Sequence, residues 1–179
     1  MKLVSNSIIF FWLVQQISFA QVVGVRRAEE YLSTLESLTG TSRLEAGVKA
    51  FYSSFSLSLP QNGKMEEYNA TTILTSIGLA SEFCLGMIER DRSVAPANSW
   101  AHRTVDMTKD VLLWEKKEIA LLLVEYAEVF WGRELEEREL QSLSFIFETF
   151  RSGSPIKTSE TTLVGTCALM LALPYVLIK

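Results

Sequence analysis

Leu163-Val164-Gly165-Thr166-Cys167-Ala168-Leu169-Met170-Leu171-Ala172-Leu173-Pro174-Tyr175-Val176-Leu177-Ile178 carries no charged side chain. Its apolar residues point all round a helix rather than along one stripe. Such a helix is either wrapped by other helices or placed in lipid. At about 1.5 Å per residue the stretch spans roughly 24 Å, short of the ~30 Å hydrocarbon core of a bilayer. Pro174 would also disturb its last turn. It reads as the central helix of a bundle, for which the rest of the chain must supply the cover.

Upstream, the apolar spacings are helical almost throughout and no sustained alternation marks a strand. A first helix is expected over about 25–38, with Ala28, Tyr31, Leu32, Leu35 and Leu38 on one stripe and Gly40 as a left-handed cap. Thr41 or Ser42 would cap a second, which buries Leu44, Val48, Phe51, Tyr52, Phe55 and Leu59 and ends at Pro60 before the turn Gln61-Asn62-Gly63-Lys64. A long third helix, about 69–90, has the inner face Ile73, Ile77, Ala80, Cys84, Met87 and Ile88, widened by Leu74 and Phe83. Residues 91–103 read as an exposed loop. One or two helices follow over 104–131, broken by Gly132. The next has the stripe Leu140, Leu143, Phe147 and Phe150, and Ser159 caps the last after the loop Ser152-Gly153-Ser154-Pro155. The expected fold is an all-α bundle of six or seven helices.

The N-terminal residues 1–20 read as a signal peptide. Lys2 is a minimal positive region, Ile8-Ile9-Phe10-Phe11-Trp12-Leu13-Val14 a short apolar core, and Ser18-Phe19-Ala20 places small residues at −3 and −1 of a cleavage site. Cleavage would leave 21–179 as a single helical domain, exported to the periplasm or secreted. Losing Lys2 takes the formal charge from −4 to −5. An acidic chain whose longest basic runs are Arg26-Arg27 and Lys116-Lys117 is poorly suited to nucleic acid, whose binding rests on phosphate neutralisation. Anionic membrane surfaces are disfavoured for the same reason.

Lys49-Ala50-Phe51-Tyr52 through Leu57-Ser58-Leu59-Pro60, a short polar turn, and Leu79-Ala80-Ser81-Glu82-Phe83-Cys84 together resemble a helical segment of exported bacterial proteins of undefined activity. There an amphipathic helix ends in Leu-Pro, the next ends in aromatic-Cys, and a late helix opens as Thr166-Cys167-Ala168 does. The resemblance covers about half of the mature chain. It implies export, an all-helical domain and paired cysteines, and it supplies no catalytic residue.

Little else points to chemistry. Cys84 and Cys167 are the only cysteines, each on an apolar helical face. In an exported chain they point to one disulfide, two buried thiols being the alternative. Two helices packed antiparallel at about 8–10 Å can bring such residues within bonding range. His102, the only histidine, sits in a polar loop, where solvent exposure is expected, and no second His or Cys-rich cluster supports a metal. No Gly-x-Ser-x-Gly elbow and no phosphate-cradling loop occurs. Glu134, Glu136, Glu137 and Glu139, beside Arg133 and Arg138, read as a solvated helix start rather than paired catalytic carboxylates. Within the long loop, Trp100, His102 and Arg103 are the candidate contact residues; Trp114 and Trp131 are expected on helices.

The reading is therefore a non-enzymatic exported module of the cell envelope that acts by contact with a protein partner and needs no cofactor. The alternative is a membrane-associated protein anchored by its C-terminal apolar helix. An enzyme built on scattered Glu, Asp and Arg is the third possibility.

Overall fold

The computed structural model describes residues 27–59, 70–153 and 159–172. Among these residues there are six α-helices and no strand: α1 (Ala28–Thr39), α2 (Ala46–Phe55), α3 (Ala70–Arg92), α4 (Lys116–Trp131), α5 (Glu137–Gly153) and α6 (Ser159–Ala172). The expected signal segment 1–20, the expected turn after Pro60 and residues 173–178 of the C-terminal stretch lie outside them.

The helix ends follow local chemistry. Gly40 closes α1 at φ 65°, with its N–H donating to the Glu36 carbonyl at 2.9 Å. Gly132 closes α4 in the same left-handed conformation, which only glycine adopts without steric cost. At the start of α4, the Glu115 N–H donates to Glu118 Oε2 at 2.7 Å and completes a capping box. The N-cap of α2 is Glu45, so neither Thr41 nor Ser42 starts it. Thr41 is instead buried, its hydroxyl donating to the Phe83 carbonyl at 2.9 Å.

One core cluster takes residues from all six helices. Its centre is the antiparallel pair α3 and α6. Cys84 and Cys167 join the two, with Cα atoms 6.0 Å apart and both side chains fully buried. Arg92 pairs with Glu160 at 3.0 Å at the opposite end of the contact. Leu163, Cys167, Ala168, Met170 and Leu171 of α6 are buried, and its other sides meet α4, α5 and the turn at 111–113. Trp131 of α4 reaches across, its indole N–H donating to the Met170 carbonyl at 3.1 Å. Among the described residues α3 alone is long and apolar enough to cross a membrane; half of its apolar window is buried inside the protein.

Three sequence expectations are corrected. The inner face of α3 is rotated from the expected one: Leu79, Ala80, Phe83, Cys84, Met87 and Ile88 are buried, whereas Leu74 is 69% exposed and Ile73 partly so. Buried Thr72, Thr75 and Ser76 hold the inward positions at the start of this helix, so its apolar residues there face outward. Second, residues 104–115 are not helical apart from the short turn Val111–Leu113, so α4 begins only at Lys116 and Trp114 follows that turn, buried. Third, Leu44 precedes α2 and is exposed, and Phe55 and Phe150 sit at the rim rather than inside.

Gly40 offers a direct check. A Cβ there would need positive φ and would lie 3.1 Å from Arg90 Nη1, and the same guanidinium donates through Nη2 to the Thr39 carbonyl. Gly40→Ala is expected to cost about 1–2 kcal/mol in chemical denaturation.

Candidate functional site

The connection between α3 and α4, residues 93–115, is the longest irregular segment among the described residues, and its middle is built around two buried carboxylates. Asp91 stands on the last turn of α3. It continues the inward stripe of Cys84, Met87 and Ile88, so helical geometry carries it into the core rather than into water. Glu125 lies mid-way along α4, beside Leu122 and Tyr126 on the buried side. A buried carboxylate is tolerable only with a full set of donors, and the loop supplies them.

Oδ1 of Asp91 accepts the Trp100 N–H and Oδ2 the Ala101 N–H, each at 3.0 Å. Oδ2 also accepts from Nδ1 of His102 at 2.8 Å. Two residues on, the N–H groups of Arg103 and Thr104 donate to the two oxygens of Glu125 at 2.7 and 3.2 Å. Arg103 Nε and the Thr104 hydroxyl complete that set at 3.0 and 2.8 Å. Four of five successive backbone N–H groups are thus spent on two side chains from two different helices.

Between the pairs, His102 bridges the helices. Its Nε2 lies 2.8 Å from the Tyr126 hydroxyl, and Asp91, His102 and Tyr126 are all sealed from solvent. Satisfying the three groups together assigns the tautomer: Nδ1–H donates to Asp91 and Nε2 accepts the Tyr126 O–H. Burial alone would raise the Asp91 carboxyl, but the His102 and backbone donors more than offset it and hold it below its usual value. Burial, reinforced by the negative charges of Asp91 and Glu125, pushes the Tyr126 phenol well above its usual value, so it stays a neutral donor.

The expectation that His102 is solvent-exposed is therefore wrong. The histidine is the buried keystone of the loop, and no part of it reaches a ligand from solution. Trp100 and Arg103 do remain on the outside, at 44% and, for the Arg103 side chain, 48% exposure. Neither is loose. The Trp100 indole N–H donates to the Leu38 carbonyl at 2.6 Å, and the Arg90 guanidinium lies over its ring at 5.6 Å. Arg103 is tied to Glu125 and lies 4.0 Å from Glu128.

Asp91–His102–Tyr126 has the outline of an acid–base–hydroxyl relay, but a phenol of raised pKa, sealed in a core, is not a nucleophile for an external substrate. The chemistry available to it is structural. Tyr126→Phe should leave Nε2 of His102 without a partner and cost about 1–3 kcal/mol, read as a lower thermal midpoint with helicity unchanged.

The other expected features lie apart from this loop. Glu139 pairs with Arg133 at 2.6 Å and is held below its usual value chiefly by that bond, while Glu134, Glu136 and Glu137 are solvated. A groove of about 240 Å³ lined by Lys116, Ile119, Ser144, Phe145 and Glu148 runs between α4 and α5. Among the described residues no group of His, Cys, Asp and Glu is arranged to hold a metal ion. Asp91, expected at the head of the exposed loop 91–103, is instead a buried residue on the last turn of α3, and for Glu125 and Tyr126 no role is expected from the sequence. The available signal was periodicity, since an acidic residue occupies the next inward position of an otherwise apolar stripe. No protein-family model, curated protein or solved structure matches the chain.

Proposed function

We propose that this protein is an exported, non-enzymatic helical domain that acts by contact, as a structural or interaction module of the cell envelope. The observation that carries the reading is how residues 100–104 spend their polar groups. The donors that could have formed a site are turned inward onto Asp91 and Glu125, and Trp100 and Arg103 are left facing outward on a fixed base. A rigid aromatic and a rigid guanidinium lose little entropy on docking, and both residue types are favoured anchors of protein interfaces. The Cys84–Cys167 disulfide is compatible with an oxidising compartment, which supports export to the periplasm or beyond.

The membrane-anchored alternative has less support. It needs the C-terminal apolar helix in lipid, whereas Leu163, Cys167, Ala168, Met170 and Leu171 are already spent on the core.

The test places a photo-crosslinking residue at position 100 or 103 in the native host, with Lys49 on the exposed side of α2 as the control position. A discrete protein adduct from the loop positions and none from Lys49 is expected. Equal or absent adducts at all three would refute a contact role for the loop. Carbonate washing of the envelope fraction tests the alternative, since an anchored chain stays in the pellet.

A further inference from the structure

Both ends of the clamp on residues 100–104 are carboxylates, and every group facing them is a donor or a cation. Around Asp91 stand the N–H groups of Trp100 and Ala101, the His102 ring and, at 3.6 Å, Arg90 Nε. Around Glu125 stand the N–H groups of Arg103 and Thr104, the Arg103 guanidinium and the Thr104 hydroxyl. The remaining charged or titratable groups near the clamp are Tyr126 and Glu128 on α4, and Arg92 on α3, itself paired with Glu160 of α6. None of these could take over as acceptor for the loop, because Glu128 is exposed and Glu160 is occupied by Arg92.

We propose that residues 99–104 form an acid-released clasp: protonating Asp91 frees this segment as one unit from α3 and α4, while the disulfide-stapled bundle keeps its helices.

The physical reason is the one-sidedness of the site. A protonated carboxyl loses much of its strength as an acceptor and gains an O–H donor, which here meets only other donors. Because the two carboxylates hold adjacent N–H pairs of one short segment, loss of either strains the other, and release is cooperative. The bundle does not share this dependence. The α3–α6 contact is largely apolar, with the part-exposed Arg92–Glu160 pair its one ion pair among the described residues, and it is covalently joined at Cys84–Cys167. Beyond its own connection the clasp reaches α1 through the Trp100 indole N–H on the Leu38 carbonyl, so its release opens that bond, unpacks Ala101 and uncovers Tyr126 without undoing a helix.

Asp91 sets the direction and the pH window. Its carboxyl is held below the ordinary carboxylate value in the folded state. The stability it lends the clasp is therefore complete above that ordinary value, about 3.9, and is lost as pH falls through the lower, folded one. Release is thus expected in strong acid, below the range where free carboxylates titrate. Neither the protein's partner nor its location enters this step.

Limited proteolysis of the intact, oxidised protein provides the test, because the clasp lies between Cys84 and Cys167. A single cut within residues 99–104 leaves two fragments that migrate as one species until the disulfide is reduced. With pepsin in acid, we expect this pattern to appear while far-UV circular dichroism remains helical. With trypsin at neutral pH, the parent should resist scission after Arg103, whereas Asp91→Asn and Glu125→Gln should each be cut there at least about tenfold faster. Loss of loop protection and helicity at one and the same pH would overturn the proposal. So would variants that keep their helicity yet resist trypsin as the parent does. If both variants fail to fold, the acid series on the parent decides alone.

Discussion

Leu171→Asp is expected to leave no folded protein at ordinary temperature. Leu171 is fully buried on α6, in the pair of helices against which the rest of the core packs. Removing a buried leucine side chain costs about 2–5 kcal/mol before any charge is considered. An aspartate in its place either stays ionised without a partner or takes up a proton and leaves polar oxygens among hydrocarbon, each costing several kcal/mol more. The sum reaches the whole stability of an ordinary domain, about 5–15 kcal/mol. Two comparisons isolate the cause. Leu169→Asp places the same charge on the same helix at a half-buried position and should be clearly milder. Glu136→Ala, on the exposed acidic turn before α5, should shift stability by no more than about 0.5 kcal/mol. Soluble yield and far-UV circular dichroism read all three. A Leu171→Asp chain as helical and as heat-resistant as the parent would remove α6 from the core.

Loss of the disulfide is the second large effect. Cys84 and Cys167 are 83 residues apart in sequence, so the bond restricts a long loop in the unfolded chain. The loop-entropy relation gives about 4.5 kcal/mol for that length. For a protein of this size the loss corresponds to roughly 10–15 °C in thermal midpoint. The Cys84→Ala, Cys167→Ala double variant should show that drop with the same helical spectrum, because alanine adds no polar group to the space it leaves. Alkylation of the unfolded, non-reduced parent should label neither cysteine. An unchanged midpoint, or two labelled thiols, would mean that the bond does not carry this load.

The helical bundle, its apolar C-terminal helix and the cysteine pairing are all legible in the amino-acid sequence. They rest on strong local signals: unbroken apolar runs, Gly40 and Gly132 at helix ends, and just two cysteines in a chain that reads as exported. The face of α3 is misjudged because isoleucine and leucine at 73 and 74 outrank threonine on any hydropathy scale. Packing decides otherwise, and Thr72 and Thr75 are the residues buried there. The histidine is misjudged for a related reason. A loop rich in polar residues reads as solvated, and nothing local reveals that Asp91 and Glu125, 34 positions apart, converge on the same five residues. Burial of His102 is a tertiary property created by two helices that the sequence does not pair. The outward position of Trp100 is legible, but its holders are not: Leu38 lies 62 positions away, and Arg90, although it adjoins the loop, meets the ring only through the way the chain folds back after α3.

Amide hydrogen exchange on the oxidised protein reads directly whether α3 and α6 form the innermost pair of the bundle. The slowest exchange is expected at residues 79–88 of α3 and 163–171 of α6, opening only with global unfolding. Amides of α2, and of α5 on its exposed side, should exchange through smaller openings. Fast exchange along α6 while α1 or α5 stays protected would contradict the account.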